Sequence, residues 1–236
     1  MKIVKMLYME ENKVAIISDL HIGNNKDSEI FHKILLDYAQ WLKNKLKDNN
    51  ITRLIIAGDF FHDRTKIPLT TLDVGHKFLD ILSDLHITIT TGNHDSYYLD
   101  NSSVNSLSIF KNRKNVEIID TLTIKDGFTY CPWGITLDEI SDNSNIVICH
   151  IDAQSFEVSK GKISTHGFKV ADLMQKCNIC FSGHYHKNQS RVYNGKSFHY
   201  LGSPMQLNFC ESGDEKYIHI LNVDTLEVSK IVNDFY

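Results

Sequence analysis

Five short apolar runs, each stopped by a residue that can bind a ligand, constrain this chain more than any other feature. KVAIIS (13–18) leads into Asp19, ITRLIIA (51–57) into Gly58-Asp59, and HITITT (86–91) into Gly92-Asn93-His94-Asp95. NIVIC (145–149) precedes His150, and NICFS (178–182) precedes Gly183-His184. Their length and β-branched content read as strands. Between the early runs the spacing turns helical. Residues 28–47 set Ile30, Phe31, Ile34, Leu35, Tyr38, Trp41, Leu42 and Leu46 on one face, and 69–84 and 101–111 are shorter helix candidates. Strands alternating with helices predict a layered α/β domain, with central sheets flanked by helices. Further on, SFHYLGSP, KYIHILNVD and LEVSKIV read as successive strands with polar turns, expected to pair antiparallel. The sheets are therefore expected to be mixed. With 3 prolines, no internal repeat and no low-complexity segment, residues 1–236 are expected to form one domain. The first dozen residues are expected to be an extra edge strand or a loose end.

Composition narrows the function classes. A length of 236 residues is enough for one well-buried core. Hydrophobic residues make up 42% and charged residues 23%, the balance of an ordinary globular protein. No run approaches the roughly 20 apolar residues a membrane span needs. MKIVKMLYMEENK has acidic residues where a signal peptide has its apolar segment, and five cysteines form no dense framework, so a cytoplasmic setting is expected. Cys177 and Cys180 have CxxC spacing, but no second pair exists and KCNICFSG is apolar, which favours buried thiols over zinc. The net charge is −4, and a protein held to nucleic acid by bulk electrostatics is usually basic. Any nucleic-acid function must rely on local positive charge or on bound metal.

Ligand sites in α/β sheets collect at the carboxyl ends of strands. That rule brings together Asp19 and His21 of SDLHIG, Asp59 and His62 of AGDFFHDR, Asn93 and His94 of TGNHDS, His150, and His184 and His186 of FSGHYHK. In an extended chain residues i and i+2 point the same way, so His184 and His186 are expected to face one place. A lone DxH or HxH is common by chance, and single strand histidines such as His86, His199 or His219 are more often packed or at the surface. The ordered set is another matter. Carboxylate, carboxamide and imidazole suit ions such as Mn²⁺, Fe²⁺ or Zn²⁺. The donors are too many for one ion, but two ions sharing one carboxylate would use them all, with the two histidines of GHYH serving different ions.

The series SDLHIG, GDFFHD, GNHD, a strand-end histidine and GHYH resembles the calcineurin-like metallophosphoesterase superfamily. Within it the chain looks closest to SbcD-type recombination and repair nucleases, phage-encoded ones included. Two features carry that branch: His62, third after Asp59, and the stretch YLGSPMQLNFCESGDEKYIHILNVD. The resemblance runs from about residue 13 to about 230. It implies the layered metallophosphoesterase fold and two divalent ions, Mn²⁺ foremost, with Fe²⁺, Zn²⁺ or Mg²⁺ as alternatives. One ion would be held by Asp19, His21, Asp59 and His186. The other would be held by Asp59, Asn93, His150 and His184, with Asp59 bridging. His166, in STHG, competes with His150, but His150 directly follows an apolar run. The resemblance also implies DNA as substrate. Helices after GDFFHD and GNHD would form a homodimer bundle as in the family, although an apolar helix face is more often packed on its own sheet. No membrane partner is expected, since no apolar run is long enough. SbcD-like proteins continue into a DNA-capping domain and a segment for an SbcC-like ATPase. Neither is expected within residues 1–236, so that ATPase is a partner only of a longer natural chain.

Phosphodiester hydrolysis must bring a nucleophile to an anion and stabilise added negative charge, and a metal pair does both. Asp19 and Asp59 bring two negative charges against four from the metals, so the filled site is locally positive although the chain is acidic. His94 is placed to donate a proton to the leaving oxygen. Asp95 is expected to orient His94, or to cap a helix in SYYLDNSSVNSL. His62 is expected to contact the phosphate or to support the metal ligands, and Arg64 is a further cation for a phosphate or an acid. Lys160, Lys162, Lys187 and Arg191 lie on loops near the expected site, whereas Lys111, Arg113 and Lys114 form a separate cluster. The expected activity is thus a metal-dependent DNA nuclease. The competing readings are a phosphodiesterase or phosphatase for small phosphoesters or phosphoproteins, and a non-catalytic scaffold.

Overall fold

The computed structural model describes residues 12–235, so the expectation for the first dozen residues falls almost wholly outside them. The first half of the chain alternates as expected. Strands β1 (Lys13–Ile17), β2 (Arg53–Ala57), β3 (His86–Thr90) and β4 (Val116–Ile119) pair in parallel. Helices α1 (Glu29–Asp48) and α2 (Leu69–Ile81) follow β1 and β2. A second sheet begins with β5 (Thr123–Lys125), β6 (Phe128–Cys131) and β7 (Ser144–His150). After a small ribbon of β8 (Glu157–Ser159) and β9 (Lys162–Ile163), helix α3 (Val170–Lys176) leads into β10 (Cys177–Gly183). Strands β11 (Gln189–Tyr193) and β12 (Lys196–Tyr200) complete that sheet, in the order β11-β12-β10-β7-β6-β5. The chain then returns to the first sheet as β13 (Tyr217–Asn222) and β14 (Val228–Val232), giving β14-β13-β1-β2-β3-β4.

The sheets stack face to face, with helices on both outer surfaces. Side chains alternate along a strand, so Val14 and Ile16 of β1 and Ile55 and Ala57 of β2 pack between the sheets against Ile146, Ile148, Ile179 and Phe181. Their neighbours Ala15, Ile17, Leu54 and Ile56 pack outward beneath Tyr38, Leu42 and Leu46 of α1 and Phe78 and Leu79 of α2. On the far side Val147, Cys149 and Cys180 meet Leu173 and Met174 of α3. Strands buried on both faces must be apolar throughout, which is why the runs read as continuous rather than alternating. Cys177 and Cys180 are buried free thiols in this outer core, as expected.

Two expectations are corrected. Over 101–111 only Ser106–Phe110 is helical, as a single 3₁₀ turn. The segment before it is rich in Asn and Ser, whose side chains satisfy nearby backbone instead, as when Asn101 Oδ1 accepts from the Ser103 amide and Asn105 Nδ2 donates to the Ser102 carbonyl. SFHY does not pair with the strands that follow it. It becomes β12, which is antiparallel to β11 through the tight Asn194-Gly195 turn and parallel to β10, while β13 belongs to the other sheet. The three C-terminal stretches are strands, but they divide between two sheets.

His199 and His219 are packed between the sheets around Phe181, and His86 is exposed. His219 is fully buried and its Nδ1 has no partner among the described residues. Burial, helped by Lys230, lowers the His199 imidazole to about 4, and burial with Lys230 and His199 lowers His219 to about 3. Both are therefore neutral in the folded protein, while the unfolded chain takes up protons below about 6.5. Their destabilising effect is absent above that pH and grows as pH falls towards 4 and 3, by up to ~1.4 kcal/mol per pH unit for each. Urea denaturation between pH 7 and 4 in the presence of chelator should show this decline. His219→Leu should flatten it by the share of one such histidine, up to ~1.4 kcal/mol per pH unit, and an unchanged slope in that variant would remove His219 from the account.

Candidate metal centre

The carboxyl ends of β1, β2 and β3 in one sheet and of β7 and β10 in the other share one edge of the sandwich. The loops beyond them are bonded to each other. The Asp19 amide donates to the Gly58 carbonyl at 3.1 Å, the His21 amide to the Asp59 carbonyl at 3.0 Å, and the His184 amide to Asp19 Oδ1 at 3.1 Å. Asp19, His21, Asp59 and His184 all take left-handed backbone conformations, with φ of 57°, 47°, 53° and 90°. Non-glycine residues rarely adopt this region, and such strain gathers where function requires it. The motif glycines have a steric reason. A Cβ on Gly92 would overlap Oδ1 and the backbone nitrogen of Asp59, and one on Gly183 would overlap Ser18 Oγ and the Ala57 carbonyl.

The donors form two groups around one carboxylate. In the first, His21 Nε2 lies 3.1 Å from His186 Nε2, 3.9 Å from Asp19 Oδ1 and 3.5 Å from Asp59 Oδ2. In the second, His150 Nε2 lies 3.2 Å from Asp59 Oδ2 and 3.0 Å from Asn93 Oδ1, which is 2.8 Å from His184 Nδ1. Ligand atoms about 2.1 Å from a common ion stand about 3.0–3.4 Å apart. The second group, at 2.8–3.2 Å, is close to this spacing, the first is looser at 3.1–3.9 Å, and Asp59 Oδ2 belongs to both. The donor set fits a pair of divalent ions. His166 is exposed in its loop and His150 is in the cluster. No cysteine joins a metal-capable group among the described residues.

The electrostatics agree with a site made for positive charge. Burial opposes the ionised form of Asp59, yet the His150 imidazole and then His21 hold its pKa below the usual carboxylate range. Burial alone would lower His150, but the Asp59 carboxylate overrides it and raises the group. His21 is held well below its ordinary value, chiefly by burial, with His186, His94 and His62 adding to the effect against Asp59. Neutral imidazole is the form that ligates.

GHYH departs from the expected geometry. β10 ends at Gly183, and His184 turns into the left-handed region, so the two histidines are not neighbours on one strand face. His184 points to Asn93 and His186 to His21, on opposite sides of Asp59. Each is backed by a carboxylate that the sequence motifs do not announce. His184 Nε2 is 2.8 Å from Asp152 Oδ1, which also accepts from the Tyr185 hydroxyl. His186 Nδ1 is 3.0 Å from Oε1 of buried Glu211, whose Oε2 accepts from Lys216 Nζ at 2.7 Å and Ser203 Oγ at 3.0 Å. Carboxylates in this position fix the tautomer and aim of a metal-binding imidazole. Glu211 lies within NFCESGDEK and Asp152 two residues beyond His150, but neither spacing shows the contact.

His62 and His94 lie beside the first group. Their rings stack at 5.4 Å, and His94 is 4.7 Å from the His21 ring. His94 Nδ1 donates to the His62 carbonyl, and its amide donates to Asp59 Oδ1 at 2.8 Å. His62 Nδ1 is 3.2 Å from His21 Nδ1, and the three histidines form a further metal-capable group. Asp95 is the correction. Its buried carboxylate accepts from the amides of Gly92 and Phe61, each at 3.0 Å, and Phe60 at 3.3 Å, rather than from His94. No helix follows for it to cap. It ties the GNHD turn to the GDFFHD loop, with its pKa raised by burial and by Asp59. Arg64 Nη1 is buried without a partner among the described residues. Arg191 lies over the Phe156 ring at 4.3 Å, and Lys111 and Arg113 pair with Asp120 and Asp80.

The model of the calcineurin-like phosphoesterase family matches residues 12–188, and the chain belongs to that family. It is 22% identical over 275 residues to SbcD, the D component of the nuclease SbcCD, of Escherichia coli strain K12, covering 94% of this chain and 67% of the relative. The same figures hold for the protein of strain O157:H7. Among solved structures, a novel archaeal phosphodiesterase superposes with a TM-score of 0.50 at 16% identity, over 93% of this chain and 99% of the other, a likeness of fold. No helix among the described residues is long and apolar enough to cross a membrane.

The backing carboxylates can be tested by metal affinity. Glu211→Gln and Asp152→Asn should each weaken binding of one ion by roughly 10- to 100-fold, the usual cost of losing such a partner. Calorimetric titration with Mn²⁺ would measure it. Unaltered affinity in both variants would make these contacts incidental.

Proposed function

We propose that this chain is a divalent-metal-dependent nuclease hydrolysing phosphodiester bonds in DNA, in recombination or repair. The observation that carries the reading is one oxygen of Asp59, 3.5 Å from His21 Nε2 and 3.2 Å from His150 Nε2. Asp19, His21, Asp59 and His186 would hold one ion, and Asp59, Asn93, His150 and His184 the other. These donors suit Mn²⁺, with Fe²⁺, Zn²⁺ and Mg²⁺ as chemical alternatives. When bound, the ions supply a nucleophile competent at neutral pH and neutralise the phosphate.

The chain's own residues do the rest. His94 is the proton donor to the leaving oxygen: its Nδ1–H is committed to the His62 carbonyl, so the ring acts as the imidazolium and delivers the proton from Nε2, leaving the neutral Nδ1–H tautomer. His62, through its contact with His21, orients that ligand. Asp95 holds the GNHD turn in place and is a positioning residue. DNA as substrate is supported by the likeness to a protein named as part of a nuclease, across 94% of this chain. An SbcC-like ATPase partner belongs to the same reading, because that relative is named as one component of SbcCD. Five free thiols, four of them buried, suit a reducing compartment such as the cytoplasm.

Digestion of end-labelled single- and double-stranded DNA with Mn²⁺, with Mg²⁺ or with chelator tests the reading. Cleavage should depend on Mn²⁺ and vanish with chelator. Asp59→Asn should lose both ions and activity. His94→Ser should keep both ions and lower turnover by roughly 10²–10⁴. Loss of metal in that variant would make His94 a ligand, and activity confined to small phosphoesters would overturn DNA as the substrate.

A further inference from the structure

Two aromatic side chains are not used by the mechanism above: Trp133, which touches His184, and Phe209, which is carried on the turn that holds Glu211. Trp133 follows β6 and leans on His184, with ring centroids 5.5 Å apart and planes at 33°. Its indole is fixed in place, since Nε1 donates to the Leu99 carbonyl at 2.8 Å and its amide to the Thr91 carbonyl at 3.0 Å. The ring remains partly exposed beside the second donor group. Phe209 begins the 3₁₀ turn Phe209–Glu211, whose Glu211 backs His186. The turn is secured without the ring, because Asn208 accepts from the Cys210 amide and donates to Glu211. Phe209 is 99% exposed, forgoing the burial that a phenyl ring normally gains.

The residues on either side of Phe209, Asn208 and Cys210, line a cleft of about 120 Å³ together with His186, Lys160 and Lys187. Lys187 pairs with Glu157, and Lys160 forms no ion pair among the described residues. Aromatic faces alternating with cations along a groove are the means by which proteins hold single-stranded nucleic acid. Bases stack on the rings while cations follow the backbone. A duplex keeps its bases stacked on each other and cannot offer them to either ring.

We propose that Trp133 and Phe209 are base-stacking subsites for a single DNA strand, one on each side of the scissile phosphate. The proposal rests on the nuclease reading and adds the side chains that hold a strand by its bases. Trp133 takes the base on the His184 side. Phe209 takes a base on the His186 side, with Lys160 beside it for a backbone phosphate.

The test compares a phosphorothioate-linked single-stranded oligonucleotide, which resists cutting, with the same backbone carrying abasic sites, in the presence of Mn²⁺. Fluorescence anisotropy gives Kd. Trp133→Leu and Phe209→Ala should each weaken binding of the intact strand by roughly 5- to 150-fold, and of the abasic strand by less than about twofold. Trp133→Phe, which keeps a ring, should restore most of the affinity and guards against a folding defect. In a Trp41→Phe background, Trp133 fluorescence should be quenched by the intact strand and not by the abasic one. Equal losses on both strands, or none, would overturn the subsites while leaving the nuclease reading intact. Failure of the unaltered protein to bind or cut any oligonucleotide would overturn that reading and the subsites with it.

Discussion

The carboxylate of Asp59, buried at the seam between two sheets, is the constraint on which the site is built. An ionised carboxylate removed from water is costly unless it is paired and hydrogen-bonded. Asp59 meets that cost with groups from three other parts of the chain: His21 after β1, the His94 amide after β3, and His150 at the end of β7. The same oxygen that faces His21 faces His150, so the two donor groups cannot be assembled independently. The sandwich must bring its two sheets into register at this edge for the charge to be satisfied at all.

That demand explains why the chain accepts local strain here. Asp19, His21, Asp59 and His184 all lie just beyond strand ends and all take the left-handed backbone region. The contacts that hold them are the bonds between loops and the close approach of Gly92 to Asp59. Asp95, drawn onto three amides of neighbouring loops, fixes the GNHD turn to the GDFFHD loop. Strain is sustained because the surroundings determine each position more than once.

Behind the donors lies a layer of support with a common logic. His184 and His186 are each gripped at the nitrogen turned away from the donor cluster, by Asp152 and Glu211. Glu211 is itself held by Lys216, which is buried and also donates to the His186 carbonyl. The stretch from Ser203 to Lys216, with little regular structure of its own, thus fixes one wall of the site. It also carries the exposed Phe209.

What could be read from the chain alone was local. Strand runs β1, β2, β3, β7 and β10, helices α1 and α2, and the donor types at the strand ends follow from apolar period and from the residues that stop it. The pairing of β11 with β12 has a local signal too, the Asn194-Gly195 dipeptide that favours a tight hairpin, although SFHY was expected to pair with the strands after it. Tertiary structure decided the rest. His21 and His186 are 165 residues apart and meet only because two sheets pack face to face. The assignment of β12 and β13 to different sheets, the turn that sends His184 and His186 to opposite sides of Asp59, and the work of Asp95, Asp152 and Glu211 have no short-range signature. Each depends on which surfaces bury against each other and on which buried charge must be paired, and those are properties of the packed chain rather than of any segment.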